Sequence, residues 1–208
     1  MPFILRETIM GTFLPASTSP LLTTRFVNVL HWAAELHNRQ VRETYDIPYV
    51  SHLLTVAALT LEQGAILLPA ELLEDAAIVA LMHHSVTDIG LPLELFESIG
   101  SNVQAAMQLL CQDCPYAKPG QRQSYVQRLI NGRGEAAAIA QLVAAADHLD
   151  NLRFYVEQGR SLWQPGDQRF YEHFLEQVNV PSVWANEMDV LLKRLYQPVR
   201  SKSGAGAI

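Results

Sequence analysis

Apolar positions in this chain recur mostly at three- and four-residue steps, the spacing that marks one face of an α-helix. Between residues 22 and 40, Phe26, Val27, Leu30, Ala33, Ala34 and His37 share such a face and predict a first helix. Pro48 then biases Ile47 away from helical angles, so Asp46-Ile47-Pro48-Tyr49 reads as a break. Ser51 is placed to cap a helix running to Leu61, with Gly64 as its stop. Pro69 opens the next helix, with Ala76, Ala77, Ala80, Leu81 and His84 on its apolar side, fading near Gly90. Residues 93–110 read as one or two helices about Gly100, and residues 115–120, with two prolines and a glycine, as a loop. Helical segments follow at 121–130, 135–158 (rich in alanine), 171–177 and 181–196, with Pro181 suited to a helix start. No stretch alternates as a strand would, and no repeat or heptad array is present. The expectation is an all-α, single compact multi-helix bundle. Residues 1–20 are its N-terminal segment, 21–198 the helical domain and 199–208 a flexible tail.

Composition narrows the class. The 208 residues are 49% hydrophobic and 17% charged, enough for a sizeable core and too apolar for a wholly disordered chain. A net charge of −6 is the wrong sign for a free-standing electrostatic binder of nucleic acid, so no nucleic-acid partner is expected. A small anionic ligand stays open, because a local cation outweighs a weak global field. Two cysteines, Cys111 and Cys114, are too few for a disulfide-stapled secreted fold and point to a reducing cytoplasm. Arg6 and Glu7 interrupt the first apolar run before it forms a signal-peptide core. The apolar stretch 136–146 falls short of the roughly 18 residues of a membrane span. A soluble, cytoplasmic protein with no membrane partner is the expectation.

Several local motifs carry little. The Cys111-x-x-Cys114 spacing lacks both the βαβ setting of a redox motif and the second ligand pair of a zinc site. Gly132-Arg-Gly134-Glu-Ala-Ala137 precedes a helix but follows no strand, so it reads as a loop and helix start rather than a dinucleotide fingerprint. The histidines say more. His52 lies at one helix start, His83 and His84 near the end of another, and Asp88 one turn after His84. Asp147 interrupts an otherwise apolar, alanine-rich run, where a carboxylate is costly unless it is paired or coordinates a cation. That cost is the reason to look for a metal at Asp147.

Taken in order, these segments resemble the HD-domain metal-dependent phosphohydrolases. They look most like the RelA/SpoT-type hydrolase domain and its stand-alone small relatives, which remove pyrophosphate from (p)ppGpp. The His-x-x-Gln-x-Arg pattern stands here as His37-Asn-Arg-Gln40-Val-Arg42, and Pro-Tyr-x-x-His as Pro48-Tyr49-Val-Ser-His52. The Ala-Leu-Leu-His-Asp-x-Val-Glu-Asp signature reads Ala80-Leu-Met-His83-His84-Ser-Val86-Thr87-Asp88, and Ile99-Gly100 echoes a Phe-Gly step. The last signature, Ala-Asp-x-x-x-Asn-Leu, reads Ala146-Asp147-His-Leu-Asp-Asn151-Leu152. The resemblance spans residues 22–160 and implies an HD-type helical domain. It implies that His52, His83 and Asp147 are metal ligands, with His84 at the place of the family's aspartate. It implies that Arg42 packs against a guanine base, that Asn151 lines the nucleotide pocket, and that Asp88 belongs to an acidic pair beside the reacting water.

The departures alter the chemistry. With His84, the ligand set becomes three imidazoles and one carboxylate. The family's manganese prefers harder, oxygen-rich sites, so one divalent ion of Zn, Fe, Co or Ni competes with Mn for the place. Thr87 replaces the glutamate of the acidic pair and accepts no proton at neutral pH, which leaves the task to Asp88 or to metal-bound hydroxide alone. Glu43 and Ala144 replace two basic residues that would meet a polyphosphate. The leading expectation is a metal-dependent phosphohydrolase of (p)ppGpp or a related nucleotide, with Asp88 and Thr87 at the catalytic positions. The alternative is a catalytically degenerate HD domain that binds nucleotide or a protein partner without hydrolysis. A third reading is a satisfied histidine cluster with no metal, in which Asp150 and Asn151 supply local hydrogen bonds near Asp147.

Overall fold

The computed structural model describes residues 21–42, 46–111, 119–158, 163 and 166–196. The segment 1–20, the tail 199–208, Cys114 and Glu43 lie outside them. The described residues form an all-α structure of eight α-helices: α1 (Thr24–Leu36), α2 (Val50–Leu67), α3 (Leu73–Met82), α4 (Ser101–Cys111), α5 (Pro119–Asn131), α6 (Gly134–Gln158), α7 (Asp167–Gln177) and α8 (Ser182–Tyr196). Short 3-10 turns at Ala70–Leu72 and Leu93–Ser98 lead into α3 and α4. Among the described residues the only pairing of extended backbone is one antiparallel bridge, Val41 with Pro48.

Helix α3 is the hub. Nine of its ten residues are buried, so it is apolar all round rather than amphipathic, as expected of a helix enclosed by others. It packs against α1, α2, α4 and α6. Helix α6 crosses it, and its interior run from Leu142 to Asp150 is buried without interruption. Ala144, Ala145 and Ala146 there carry little side-chain bulk, which lets the neighbouring helices approach. Ile78, Leu81 and Leu149 are fully enclosed in the shared core, and truncating any one to alanine would cost about 2–5 kcal/mol. Arg25 clamps α1 to the hub. Its guanidinium reaches Glu74 at 2.8 Å, Asp75 at 2.6 Å and the Ile99 carbonyl at 3.1 Å.

Several expectations from the sequence need adjustment. The buried stripe of α1 is Val29, Ala33 and His37, whereas Val27 is 57% exposed and faces outward. Ser51 is not a cap, because α2 already starts at Val50, with Tyr49 as its N-cap. Gly64 does not stop α2, which runs on to Leu67. A Cβ at Gly64 would meet Leu73 Cδ1 at 2.9 Å and Leu142 Cδ2 at 3.6 Å, so this glycine serves close helix packing. Pro119 and Gly120, read as loop, belong to the first turn of α5. Gly134 adopts φ +74° and opens α6 from a left-handed residue, in keeping with a loop and helix start at Gly132–Gly134. Helix α2 is long and apolar enough, by length and composition, to cross a bilayer, with Glu62 as a charged residue inside it. It nevertheless buries seven residues, His52 among them, against α3 and α6.

Candidate metal centre

Four side chains from three helical segments meet where α2, α3 and α6 come together. His52 stands in the first turn of α2, His83 caps the C-terminus of α3, His84 follows in the turn, and Asp147 projects from the middle of α6. One ligand atom from each of the four lies within 4.8 Å of all the others. Donors sharing one ion at about 2.0–2.2 Å would lie roughly 3–4.3 Å apart, so a small inward adjustment suffices. Asp147 Oδ1 is the focus: His52 Nε2 lies 3.2 Å from it, His83 Nε2 3.6 Å and His84 Nε2 3.8 Å.

The outer nitrogens of the two buried imidazoles are already committed. His52 Nδ1 donates to Asp150 Oδ2 at 2.7 Å, and His83 Nδ1 donates to the Ala80 carbonyl at 2.6 Å. Each bond fixes the tautomer and leaves the Nε2 lone pair facing inward. His83 Nε2 is buried with no hydrogen-bond partner. Whichever Nε2 carries no proton has its lone pair beside the Asp147 carboxylate, an arrangement that a shared cation would satisfy. The donor set therefore fits a divalent ion, and three imidazoles with one carboxylate suit a borderline metal.

Electrostatics divides the cluster. Burial and the neighbouring His84 push the His83 pKa down to about 4, outweighing the pull of Asp147. Burial also works against a charged His84, but the Asp147 and Asp88 carboxylates more than offset it and raise its pKa to about 10. Asp147 is held well below the ordinary carboxylate range, because the three imidazoles outweigh its burial. A cation bound by His84 would thus displace the proton that His84 holds.

Asp88 and Thr87 sit at the more open end. The side chains of His84 and Asp88 are 17% and 29% exposed, against 2% for His52, which marks the side open to a ligand. Asp88 accepts from Gln40 Nε2 at 3.1 Å and from Thr87 Oγ1 at 3.0 Å, and lies 3.6 Å from His84 Nδ1. His84, Gln40 and Thr87 outweigh its burial and keep it ionised below the usual range. His37 Nδ1 donates to Gln40 Oε1 at 2.5 Å and its ring stacks on Tyr49, so a chain of contacts runs from α1 to Asp88.

Arg42 and Asn151 adjoin the cluster through Asp150 and Asp147. Arg42 Nη1 meets Asp150 Oδ2 at 2.6 Å, Nη2 meets Asn151 Oδ1 at 2.8 Å, and the guanidinium lies 4.1 Å over the Phe154 ring. Asn151 Nδ2 donates to Asp147 Oδ1 at 2.7 Å. Asp150, Gln40 and Tyr49 are the residues that sequence reasoning did not place in the site. For Asp150 there was a signal: Asp147, Asp150, Asn151 and Phe154 follow the i, i+3, i+4, i+7 pattern of one helix face. Cys111 donates its thiol to the His83 carbonyl at 3.1 Å, which places it behind the cluster.

Three imidazoles and a carboxylate converging at the crossing of an all-α bundle define a candidate mononuclear metal centre. Neither the known family models nor the curated proteins include a match to this chain. Among solved structures, the fold is similar to that of a metazoan ortholog of SpoT, described as hydrolysing ppGpp and playing a role in starvation responses. The two align with a TM-score of 0.68 at 22% identity, over 86% of this chain and 98% of the other. The shared feature is the fold.

Proposed function

We propose that this protein is an HD-type, metal-dependent phosphohydrolase acting on a guanosine polyphosphate such as (p)ppGpp or a related small nucleotide. The observation that carries the reading is the inward aim of the His52 and His83 lone pairs at Asp147, within a fold shared with a ppGpp hydrolase. His52, His83, His84 and Asp147 would hold one divalent ion. When bound, such an ion supplies Lewis acidity toward a phosphoryl oxygen and lowers the pKa of water. Manganese follows from the resemblance, and Zn, Fe, Co and Ni from the imidazole-rich donor set.

The chain's own groups divide the remaining work. Asp88, at the open end, orients the attacking water through its carboxylate. Held below the usual pKa range, it is a weak proton acceptor at neutral pH and acts mainly by position and charge. Thr87 holds Asp88 with its hydroxyl and takes no proton itself. Asn151 fixes Asp147 from the side. Arg42 spends its edges on Asp150 and Asn151 and one face on Phe154; with 8% of its surface exposed, it would stack on a guanine with its other face only once the side chains covering that face move aside. The reading takes the protein as a cytoplasmic enzyme whose working unit is the helical domain, residues 21–198.

A second reading rests on Thr87. With no carboxylate at that position and Asp88 engaged by three neighbours, the site fits a domain that binds nucleotide without turnover. Incubation of the metal-loaded protein with ppGpp separates the two. Release of pyrophosphate with loss of ppGpp supports the enzyme. Saturable ppGpp binding with no product under Mn, Zn, Fe, Co or Ni supports the degenerate domain.

A further inference from the structure

Arg42 is buried, with 8% of its surface exposed, although it lies in the connection between α1 and α2. Backbone bonds hold it there: Arg42 N donates to the Ile47 carbonyl at 2.8 Å and Tyr49 N to the Gln40 carbonyl at 2.9 Å, flanking the Val41–Pro48 bridge. A guanidinium is costly to bury unless its donors are met. Here they are met by two arms. Through Nη1 it reaches Asp150 Oδ2, the same oxygen that accepts from His52 Nδ1. Through Nη2 it reaches Asn151 Oδ1, whose amide nitrogen donates to Asp147 Oδ1, with the Asp150 carbonyl as a longer contact at 3.4 Å. Phe154, one helical turn on, carries the guanidinium plane.

We propose that Arg42 is a positioning residue for the metal centre: its planar fork ties Asp150 and Asn151 together and so sets the orientation of two of the four ligands, His52 and Asp147. The inference rests on the metal-site reading and is separate from any contact of Arg42 with a base. The geometry is selective. One fork spans two acceptors on adjacent residues of α6, and each acceptor belongs to a residue bonded to a different ligand. A lysine, with a single nitrogen, would retain charge beside Asp150 but would not hold both acceptors in one plane. Asp150 supplies the carboxylate–histidine pairing that raises the basicity of a ligating imidazole. Arg42 in turn keeps that carboxylate oriented.

The test is a titration of cobalt(II) alone into the metal-free full chain, read from the d–d absorption and from competition against a chelator, with circular dichroism on every variant. The expected result is one saturable cobalt site in the wild type. Affinity should fall about 10–100-fold in Arg42→Ala and in Asp150→Asn, with a changed d–d band, the loss usual for removing an outer partner of a ligand. Arg42→Lys keeps the buried charge and decides the matter if Arg42→Ala does not fold. It should bind about tenfold more weakly, the lower end of that range. Arg42→Ala, or Arg42→Lys where the alanine variant does not fold, with wild-type cobalt affinity and spectrum would overturn the inference and leave the metal site standing, most plainly if only nucleotide affinity fell. Absence of a saturable cobalt spectrum in the wild type would overturn the metal-site reading and the inference together.

Discussion

The two sides of the histidine cluster are built differently. On the His52–His83 side the imidazoles are almost fully enclosed, their outer nitrogens are bonded to Asp150 and to the Ala80 carbonyl, and His83 stays neutral down to about pH 4. On the His84–Asp88 side the groups are more exposed and charge-paired, and His84 keeps a proton up to about pH 10. One side is organised to offer lone pairs to a cation. The other is organised around a protonated imidazole lying between two carboxylates. Two of the four departures from the expected HD pattern, His84 and Thr87, fall on the second side. The enclosed side would therefore set whether a metal binds, and the open side would set how tightly, at which pH, and what reaction follows.

The largest effect should come from the enclosed side. His83→Ala removes a ligand whose Nε2 has no other partner, and metal binding should be abolished, as elemental analysis after loading and desalting would show. Retention of stoichiometric metal in that variant would remove His83 from the ligand set.

Next in size is the pH dependence. Below about pH 10 a metal must displace the proton on His84, so affinity should rise about tenfold per pH unit between pH 6 and 8. The sign follows from the raised pKa: lower pH favours the proton and weakens the metal. In His84→Asp the slope should flatten over the same range. An unchanged slope would place the displaced proton elsewhere.

Thr87→Glu sharpens the open side. It restores a carboxylate beside Asp88 and should raise ppGpp turnover or leave it unchanged, measured with metal saturating. A large fall would show that the expected arrangement of the reacting water does not apply. The smallest effect belongs to His37→Ala, which breaks the contact to Gln40 at the far end of the chain to Asp88. Metal content should be kept, and a loss equal to that of His83→Ala would sink the ligand assignment.

How much of this was legible in the sequence follows from what periodicity carries. The enclosed helices were legible, because an apolar run interrupted by Asp147 states its own energetic problem. That same cost pointed to a metal at Asp147, and the resemblance to the HD-domain phosphohydrolases supplied His52, His83 and His84 as its partners. The extent of α2 was not legible, because Gly64 has the same letter whether it ends a helix or admits Leu73 against it. The face of α1 was misjudged at Val27, since three- and four-residue steps fit two overlapping stripes and only packing against α3 selects one. The pairing of Arg42 with Asp150 joins residues 108 apart, and no local pattern encodes such a contact. Arg42 was singled out only through resemblance, for a face of the guanidinium and not for its edges.

The central claim is that His52, His83, His84 and Asp147 hold one divalent ion. Elemental analysis of freshly purified wild-type protein, beside a His84→Asp variant prepared in parallel, tests it most directly. The account predicts one ion per chain in the wild type. A metal-free wild type beside a metal-loaded variant would contradict it, and would mean that His84 closes the site to metals rather than completing it.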